Sequence, residues 1–536
     1  MKKHFYLLAM LVWSCGLLAE THITISNPET WTVKELAPYS GQTVIFDSPM
    51  YVTSNARGTY YISPRRLYTP TNQAAPLSAA YNNIVALNSS GYMTISGISG
   101  YHRCGEKIYN LKVKVNNSTS VSWISGEWRG NTRNDILNTN VRSLVNIDGC
   151  DSCLLVCTIN LEYYIVEKPS STGPGPKSKS AHEDQRTKVR KALAKINADL
   201  YGFVEIEQGQ AALEELKNDL NSSLSGRNYK YINDGTSSQG TYTKAGFIYD
   251  ANRLEPGPGL QSFKSGTIGE ERHRMIWFRD LVTGERFIFA VNHFKAKSGT
   301  PTEEADKDHG DGQKQYNAMR VGEAKAAVSK YKEYSKAISE KDLLLMGDLN
   351  AYAKEDPIQV LTSSGLIDLH HAYHADTSYS YQFGGLAGYL DHAICSGTMY
   401  HQVRGAVGFH INSDEDDRYT FDGNWDDGSM FRCSDHDPVL VGLKLDSMHI
   451  DYNPQPDVNT QDLMSGEASY IVISNAFDES GSARSFYAIY TITGLLIEQN
   501  EITSEYQQIE MPHNSGVYIV YIYAEGKVFQ KKVIIR

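Results

Sequence analysis

Five stretches in the middle of this chain share one design: an apolar run long enough to be a buried strand, ending in hydrogen-bonding or acidic residues. They are LLVCTINLE at 154–162, LYGFVEIE at 200–207, FIFAVNHFKAK at 287–297, LLLMGDLN at 343–350 and LDHAICS at 390–396. A sixth is reversed, with Ser434, Asp435, His436, Asp437 and Pro438 leading into the apolar run Val439–Leu443. Between the runs lie helical patterns. In one, Val189, Leu193 and Ile196 mark an apolar face, and Lys188, Arg190, Lys191 and Lys195 read as its solvated side. Strands alternating with helices predict a layered α/β domain. A lone Asp at a strand end is usually a turn or cap residue. Carboxylates at the ends of several buried strands are costly unless paired or metal-bound, so together they predict one shared site.

The 536 residues are too many for one core. Lys2 and Lys3, the apolar run Phe5–Leu18 and the small Ala19 read as a signal peptide over 1–19, with lipid attachment at Cys15 as the alternative. This predicts a secreted or cell-surface protein. No later apolar run is long enough for stable membrane insertion. Residues 20–150 alternate short β-branched and aromatic runs (Thr43–Phe46, Tyr60–Ile62, Ile108–Val115) with Gly, Pro and Asn turns, which predicts an all-β domain. Tyr92–Ile98, among Gly91, Gly97 and Gly100, resembles the oligonucleotide-binding barrel. Arg57, Arg65 and Arg66 lie among Tyr60, Tyr61 and Tyr68, readable either as a stacking and phosphate surface or as solvated strand residues. The α/β domain then covers 151–446, a polar linker 447–466, and a small β-domain 467–536. That last domain ends in a hairpin of Gly516–Val520 and Lys531–Ile535 about a turn at Glu525 and Gly526.

After signal cleavage six cysteines remain, at 104, 150, 153, 157, 395 and 433, so disulfides are expected in an oxidising compartment. Cys395 and Cys433 flank two of the polar strand ends and are the favoured bridge. A zinc reading of Cys150, Cys153 and Cys157 lacks a second CxxC or a spaced His. The net charge of −11 excludes a surface coated in basic residues, so any polyanion must be held by a local basic groove.

Over residues 152–445 the GDLNA, SDHDPV and NHFKAK segments and DGQKQYNAMR at 311–320 occur in an order that resembles the endonuclease/exonuclease/phosphatase superfamily, in particular its extracellular bacterial nucleases. The resemblance implies a four-layered αββα sandwich with its site at one end of the two sheets. It implies Mg²⁺ or Mn²⁺ on hard oxygen ligands, with Glu205 the main ligand, Asn160 and Glu162 beside it and Asp435 close by. By the same carry-over Asp348 activates or orients the attacking water, Asn350 binds the scissile phosphate and Asp391 orients His436. His436 stabilises the growing phosphate charge or acts as a base, and His293 resembles the leaving-group acid. Lys295 and Lys297 are placed at the substrate, and Asn317 and Arg320 at the substrate groove or, alternatively, on a helix surface. Ile159 and Val204 depart from the family's usual Phe and large aliphatic or Gln, without touching the chemistry. Asp306, Asp308 and Asp311 with Gly310 and Gly312 resemble a calcium loop, although the spacing is not that of an EF-hand.

The expected activity is metal-dependent hydrolysis of phosphodiester bonds in DNA, or RNA as well. The alternatives are a phosphoesterase for phospholipid headgroups, nucleotides or inositol phosphates, and a non-catalytic surface-binding module. The segment SGVYIVYIYAEGKVFQKKVIIR at 515–536 resembles the sorting domain of type IX secretion, which implies contact with outer-membrane secretion machinery.

Overall fold

The computed structural model describes residues 20–55, 59–167, 169, 171–237, 242–422 and 426–445, and in the C-terminal part 470–474, 486–491, 495–501, 506–510, 516–524 and 527–535. The expected signal peptide, linker, C-terminal turn and Arg57 lie outside the described residues.

Two sheets stack face to face in the middle of the chain. The first runs Tyr229–Tyr231, Thr243–Asp250, Leu200–Glu207, Leu154–Tyr164, Val439–Leu443, Val403–Gly408. The second runs Leu254–Pro256, His273–Asp280, Arg286–Asn292, Leu343–Asp348, Asp391–Cys395, Ile367–Asp368. Each has a parallel pair at its centre, Val156 beside Leu200 in one and Ile288 beside Leu343 in the other.

The period of two explains why these runs are apolar throughout. Leu154, Val156, Leu200 and Val204 point between the sheets and meet Phe289, Val291, Leu344, Met346 and Ala393. Their neighbours Leu155, Cys157, Ile159, Tyr201 and Phe203 point outward onto Val189, Leu193, Leu213 and Leu216 of the helices Lys179–Ile196 and Ala211–Ser223. On the other side Ile288, Ala290, Leu343 and Leu345 pack on Ala324, Ala327 and Ile358 of the helices Asn317–Ile338 and Asp356–Ser363. The layers are thus helix, sheet, sheet, helix. At Gly202 the sheets approach so closely that a Cβ would stand 2.5 Å from Val291. The basic face of helix Lys179–Ile196 is only partly solvated: Lys188 is fully buried, 2.8 Å from Asp426.

The N-terminal sheet closes on itself. Met50–Ser54, Tyr60–Ser63, Met93–Ser96, Ser120–Arg129 and Lys107–Asn117 follow one another around a barrel, and Met50 pairs with Ile108 to complete the ring. The Met93–Ser96 and Ser120–Arg129 pair is parallel. The helix Ala79–Asn88 interrupts this β-region.

Barrel and α/β sandwich are joined by buried charge. Arg103 Nε lies 2.5 Å from Glu415 with neither side chain exposed, and Arg66 Nη2 lies 2.9 Å from the buried Asp414. Arg133 binds Glu415 from the other side at 2.6 Å. The backbone of Leu67 and Thr69 bonds to that of Ala387. Near the C-terminus Leu496–Glu501, Phe486–Thr491, Gly516–Ala524 and Lys527–Ile535 form one sheet, and Tyr470–Ser474 pairs with Tyr506–Glu510.

The cysteine expectation is corrected. Cys150 and Cys153 form the disulfide, which also removes the zinc reading, while Cys104, Cys157, Cys395 and Cys433 are free and buried. Cys395 ends the strand that begins at Asp391, four residues or about 13 Å from the polar end of the sheets. Cys433 sits at the polar end, donating to Asn412 Oδ1. Flanking neighbouring motifs in sequence therefore put the two thiols at opposite ends. Among the described residues no helix is long and apolar enough to cross a membrane.

Candidate active site

The polar strand ends converge at one edge of both sheets. Glu162 (φ 50°), Glu205 (φ 57°) and Asn350 (φ 47°) all adopt left-handed backbone that non-glycine residues rarely hold, so each strand breaks its pleat where it enters the site. Gly347 (φ 124°) allows the close approach of two strands, since a Cβ there would stand 2.2 Å from the Asn292 carbonyl oxygen.

Asp348 is central. Its Oδ2 accepts from Asn160 Nδ2 at 3.1 Å and from Asn350 Nδ2 at 3.2 Å, and its Oδ1 accepts from the Asn350 amide at 2.8 Å. His293 Nε2 lies between Glu205 Oε1 (3.5 Å) and Asp348 Oδ2 (3.6 Å). His436 Nδ1 is 2.7 Å from Asp391 Oδ2, and that carboxylate also accepts from Ser380 Oγ at 2.7 Å. Ligand atoms of Asp348, Asp391 and His436 come within 4.8 Å of one another. Nine expected residues are thus grouped: Asn160, Glu162, Glu205, His293, Asp348, Asn350, Asp391, His436 and, through its charge on its neighbours, Asp435.

Electrostatics divide this group in two. Burial and the nearby Asp435 push Glu162 up to about 8, and burial, Asp435 and Asp348 do the same to Glu205. Burial also raises Asp348 to about 6. Glu162 Oε2 is shut off from solvent with no hydrogen-bond partner. Repelling carboxylates, one with an orphaned oxygen, are what a hard divalent cation would satisfy, and the donor set fits Mg²⁺ or Mn²⁺. On the other side, burial disfavours charge on His436 but Asp391, Asp435 and Asp348 outweigh it, so the imidazole is held cationic well above its usual range. His293 goes the opposite way: burial and Arg272 hold it neutral.

The four expected substrate contacts are engaged elsewhere. Arg320 is fully buried and donates to the carbonyls of Gln313, Gln315 and Lys295. Asn317 donates to Asp356, and Lys297 is paired with Glu355. These three contacts brace the 295–320 segment. Lys295 Nζ is 4.3 Å above the Tyr316 ring. The calcium-loop acids cap their own backbone: Asp306 accepts from the Met319 amide, Asp308 from Gly310 and Asp311 from Gln313.

Several residues here escaped the sequence reading. Arg272 donates to the carbonyls of His293 and Phe294, fixing that strand end. Arg432 lies buried beside Glu162 and Asp435, with Nε unpaired. The Tyr381 ring lies 4.6 Å from the His436 ring, tilted by 31°, and Asn412 Nδ2 donates to the His436 carbonyl at 2.6 Å. Arg432 is two residues before the SDHDP segment and was findable by its charge, whereas Tyr381 and Asn412 carry no local signal.

The family profile described as "Endonuclease/Exonuclease/phosphatase family" matches residues 145–436. No curated protein matches the chain. Among solved structures it is similar to an endonuclease/exonuclease/phosphatase family protein from Bacteroides thetaiotaomicron (18% identity, 56% of this chain and 98% of that one, TM-score 0.38). It is also similar to a mannosyl-6-phosphatase from Bacteroides thetaiotaomicron (17%, 54% and 98%, 0.36). A third is TDP2 from D. rerio complexed with a single-strand DNA product (13%, 55% and 100%, 0.37). With a matched span of more than half its length and carboxylate and histidine side chains gathered at one edge of a sheet pair, this chain belongs to the endonuclease/exonuclease/phosphatase family.

Proposed function

We propose that the protein is a secreted or cell-surface, metal-dependent nuclease that hydrolyses phosphodiester bonds of DNA, and of RNA as well. The family's members act on phosphoester bonds. The observation that carries the reading is the split site: an under-neutralised acidic half, Glu162, Glu205 and Asp435, beside a cationic His436 held by Asp391. A phosphodiester anion needs positive charge on both sides of the phosphorus while water attacks.

Glu205, Glu162 and Asn160 would hold Mg²⁺ or Mn²⁺, which supplies Lewis-acid neutralisation of the phosphate. Asp348 orients the attacking water and, with its acidity weakened to about 6, takes its proton. Asn350 positions the phosphate. His436, donating from the ring nitrogen not bound to Asp391, stabilises charge as it rises on the phosphoryl oxygens. His293 is neutral in the free site, its Nε2 standing 3.5 Å from Glu205 and 3.6 Å from Asp348, and becomes a proton donor to the leaving oxygen only when a bound anion raises its basicity. Export through the signal segment and the type IX-like C-terminus belongs to the same proposal.

Nucleic acid is favoured over small esters by the barrel locked against the catalytic sandwich. Residues 20–130 carry nine Lys and Arg against six Asp and Glu, in a chain whose net charge is −11. Arg66 and Arg103 of this count are buried against Asp414 and Glu415, so the excess is a compositional bias toward the basic side, in the direction a polyanion substrate favours. A second reading, a phosphoesterase for lipid headgroups, is favoured by one feature, the exposed Phe383 two residues from Tyr381. Incubating the protein with Mg²⁺ and plasmid DNA, linear DNA, RNA or phospholipid vesicles separates them. The nuclease reading expects cleaved polymer that EDTA abolishes; headgroup release with intact polymers overturns it.

A further inference from the structure

The short hairpin Tyr381–Phe383 and Leu386–Gly388 links the catalytic histidine to the barrel. Its turn is Gly384–Gly385, both at positive φ (60° and 80°), as a two-residue hairpin loop requires. Alternation along the strand fixes what each face does. Gln382 turns inward and donates to the buried Asp414 at 2.5 Å. Tyr381 and Phe383 therefore share the other face. Tyr381 covers His436, and Phe383, 72% exposed, is the most exposed large hydrophobic among the described residues. The hairpin is braced, not loose: Asp414 also binds Arg66 and the Tyr379 hydroxyl.

At its tip the hairpin reaches the barrel. A Cβ on Gly385 would stand 3.5 Å from the Ser54 Cβ, and Ser54 pairs in register with Tyr61. Val52 and Ile62 fill the barrel core, so Ser54, Tyr61 and Tyr51 face outward. Tyr61 lies 5.0 Å from Tyr92, which is 37% exposed. Further along the outer surface Lys107 Nζ sits 5.1 Å over Tyr51, and the Arg129 guanidinium 5.0 Å over Tyr109.

We propose that Tyr381, Phe383, Tyr61 and Tyr92 form a stacking track for single-stranded nucleic acid, leading from His436 across the hairpin onto the barrel. This rests on the nuclease reading and deepens it by naming the form of the substrate and a barrel face that holds it. A row of partly exposed aromatic rings, with Lys107 and Arg129 over the neighbouring Tyr51 and Tyr109, suits a strand whose bases are unpaired and whose phosphates need neutralising. A membrane would instead need a broad apolar patch or a strongly basic face toward anionic lipid. Phe383 is flanked by Gln382 and two glycines, and the chain is acidic overall.

The test is fluorescence anisotropy with labelled single-stranded 4-mer and 12-mer oligonucleotides. It uses the full chain carrying Asp348→Asn in Mg²⁺, so that the strand binds without being cut. Adding Phe383→Ala should weaken 12-mer binding about five- to hundredfold, the loss of one stacked base, with Phe383→Trp restoring it. The pair Tyr61→Ala and Tyr92→Ala should weaken the 12-mer and leave the 4-mer, too short to reach them, unaffected. Unchanged unfolding temperatures assign these losses to the surface. Equal 12-mer affinity for Phe383→Ala and its parent, while the wild type still cuts DNA, overturns the track alone. Loss of binding to phosphatidylcholine and phosphatidylglycerol vesicles with equal oligonucleotide affinity overturns it in favour of a lipid contact. Failure of the wild type to cut any nucleic acid overturns the nuclease reading with it.

Discussion

Glu162→Gln should stabilise the metal-free protein and blunt its response to Mg²⁺. Burial and Asp435 raise this carboxyl from 4.5 to about 8, so at pH 7 folding must take up a proton that the unfolded chain does not hold. The sign follows: a carboxyl raised on folding is harmless below its unfolded value and costs stability as pH rises from there toward the folded value. At pH 7 that span is about 2.5 pH units, or about 3 kcal/mol at 1.36 kcal/mol each, and Glu205 shares part of it through Asp435. An amide of the same shape avoids the cost. For a domain of this size the gain is about 5 °C in unfolding temperature. The assay is differential scanning fluorimetry in EDTA and in Mg²⁺ from pH 5 to 8. Wild type in EDTA should lose stability as pH rises, while Glu162→Gln stays flatter and higher. Mg²⁺ should raise the wild type, by binding only the folded state, and the variant less. A variant that is less stable than wild type in EDTA and gains equally from Mg²⁺ would refute the idea that these acids await a cation.

Arg103→Met leaves Glu415 buried with Arg133 and the Tyr101 hydroxyl opposite it, one cation short, and should cost about 3 kcal/mol in urea unfolding. Adding Glu415→Gln should recover part of that loss, and an additive double variant would show that the pair is not coupled. Because the same loop carries Asn412, which holds the His436 carbonyl, Arg103→Met should also lower turnover. Asp368 gives an acid limb. Burial would raise its pKa, but the His392 ring 3.7 Å away and the hydrogen bond from the Tyr389 hydroxyl carry it down from 3.8 to about 2. It therefore contributes about 2 kcal/mol above pH 4, lost as pH falls toward 2, and Asp368→Asn should remove that part of the pH dependence of urea midpoints. Asp391→Asn should strip His436 of its main cationic support and reduce turnover about a hundredfold or more, with Mg²⁺ affinity little changed. Equal turnover would show that His436 is not held as a cation.

The sandwich was legible because its strands are buried on both faces. LLVCTINLE and LLLMGDLN can stay apolar for their whole length only between two layers, and the polar residue that ends each has nowhere to go but the sheet edge. The nine grouped site residues all lie in or beside such segments. What was not legible depends on long-range contact. Asp414 and Glu415 look like loop acids, and only the fold brings Arg66 and Arg103, more than 300 residues earlier, onto them. Arg320 and Lys297 follow the same logic in reverse. Their place in a motif suggested substrate, yet carbonyls of a tight turn and the buried Glu355 absorb their charge. The disulfide was misjudged because sequence proximity to the site motifs does not specify which end of a strand a thiol occupies.

The most direct test of the account is Mg²⁺-dependent cleavage of supercoiled plasmid by the wild type, Glu205→Gln and Asp348→Asn, each confirmed as folded by its unfolding transition. The account predicts metal-dependent cutting by the wild type and its loss, by a thousandfold or so, in both variants. Undiminished cutting by either variant, or cutting by the wild type in EDTA, would contradict it.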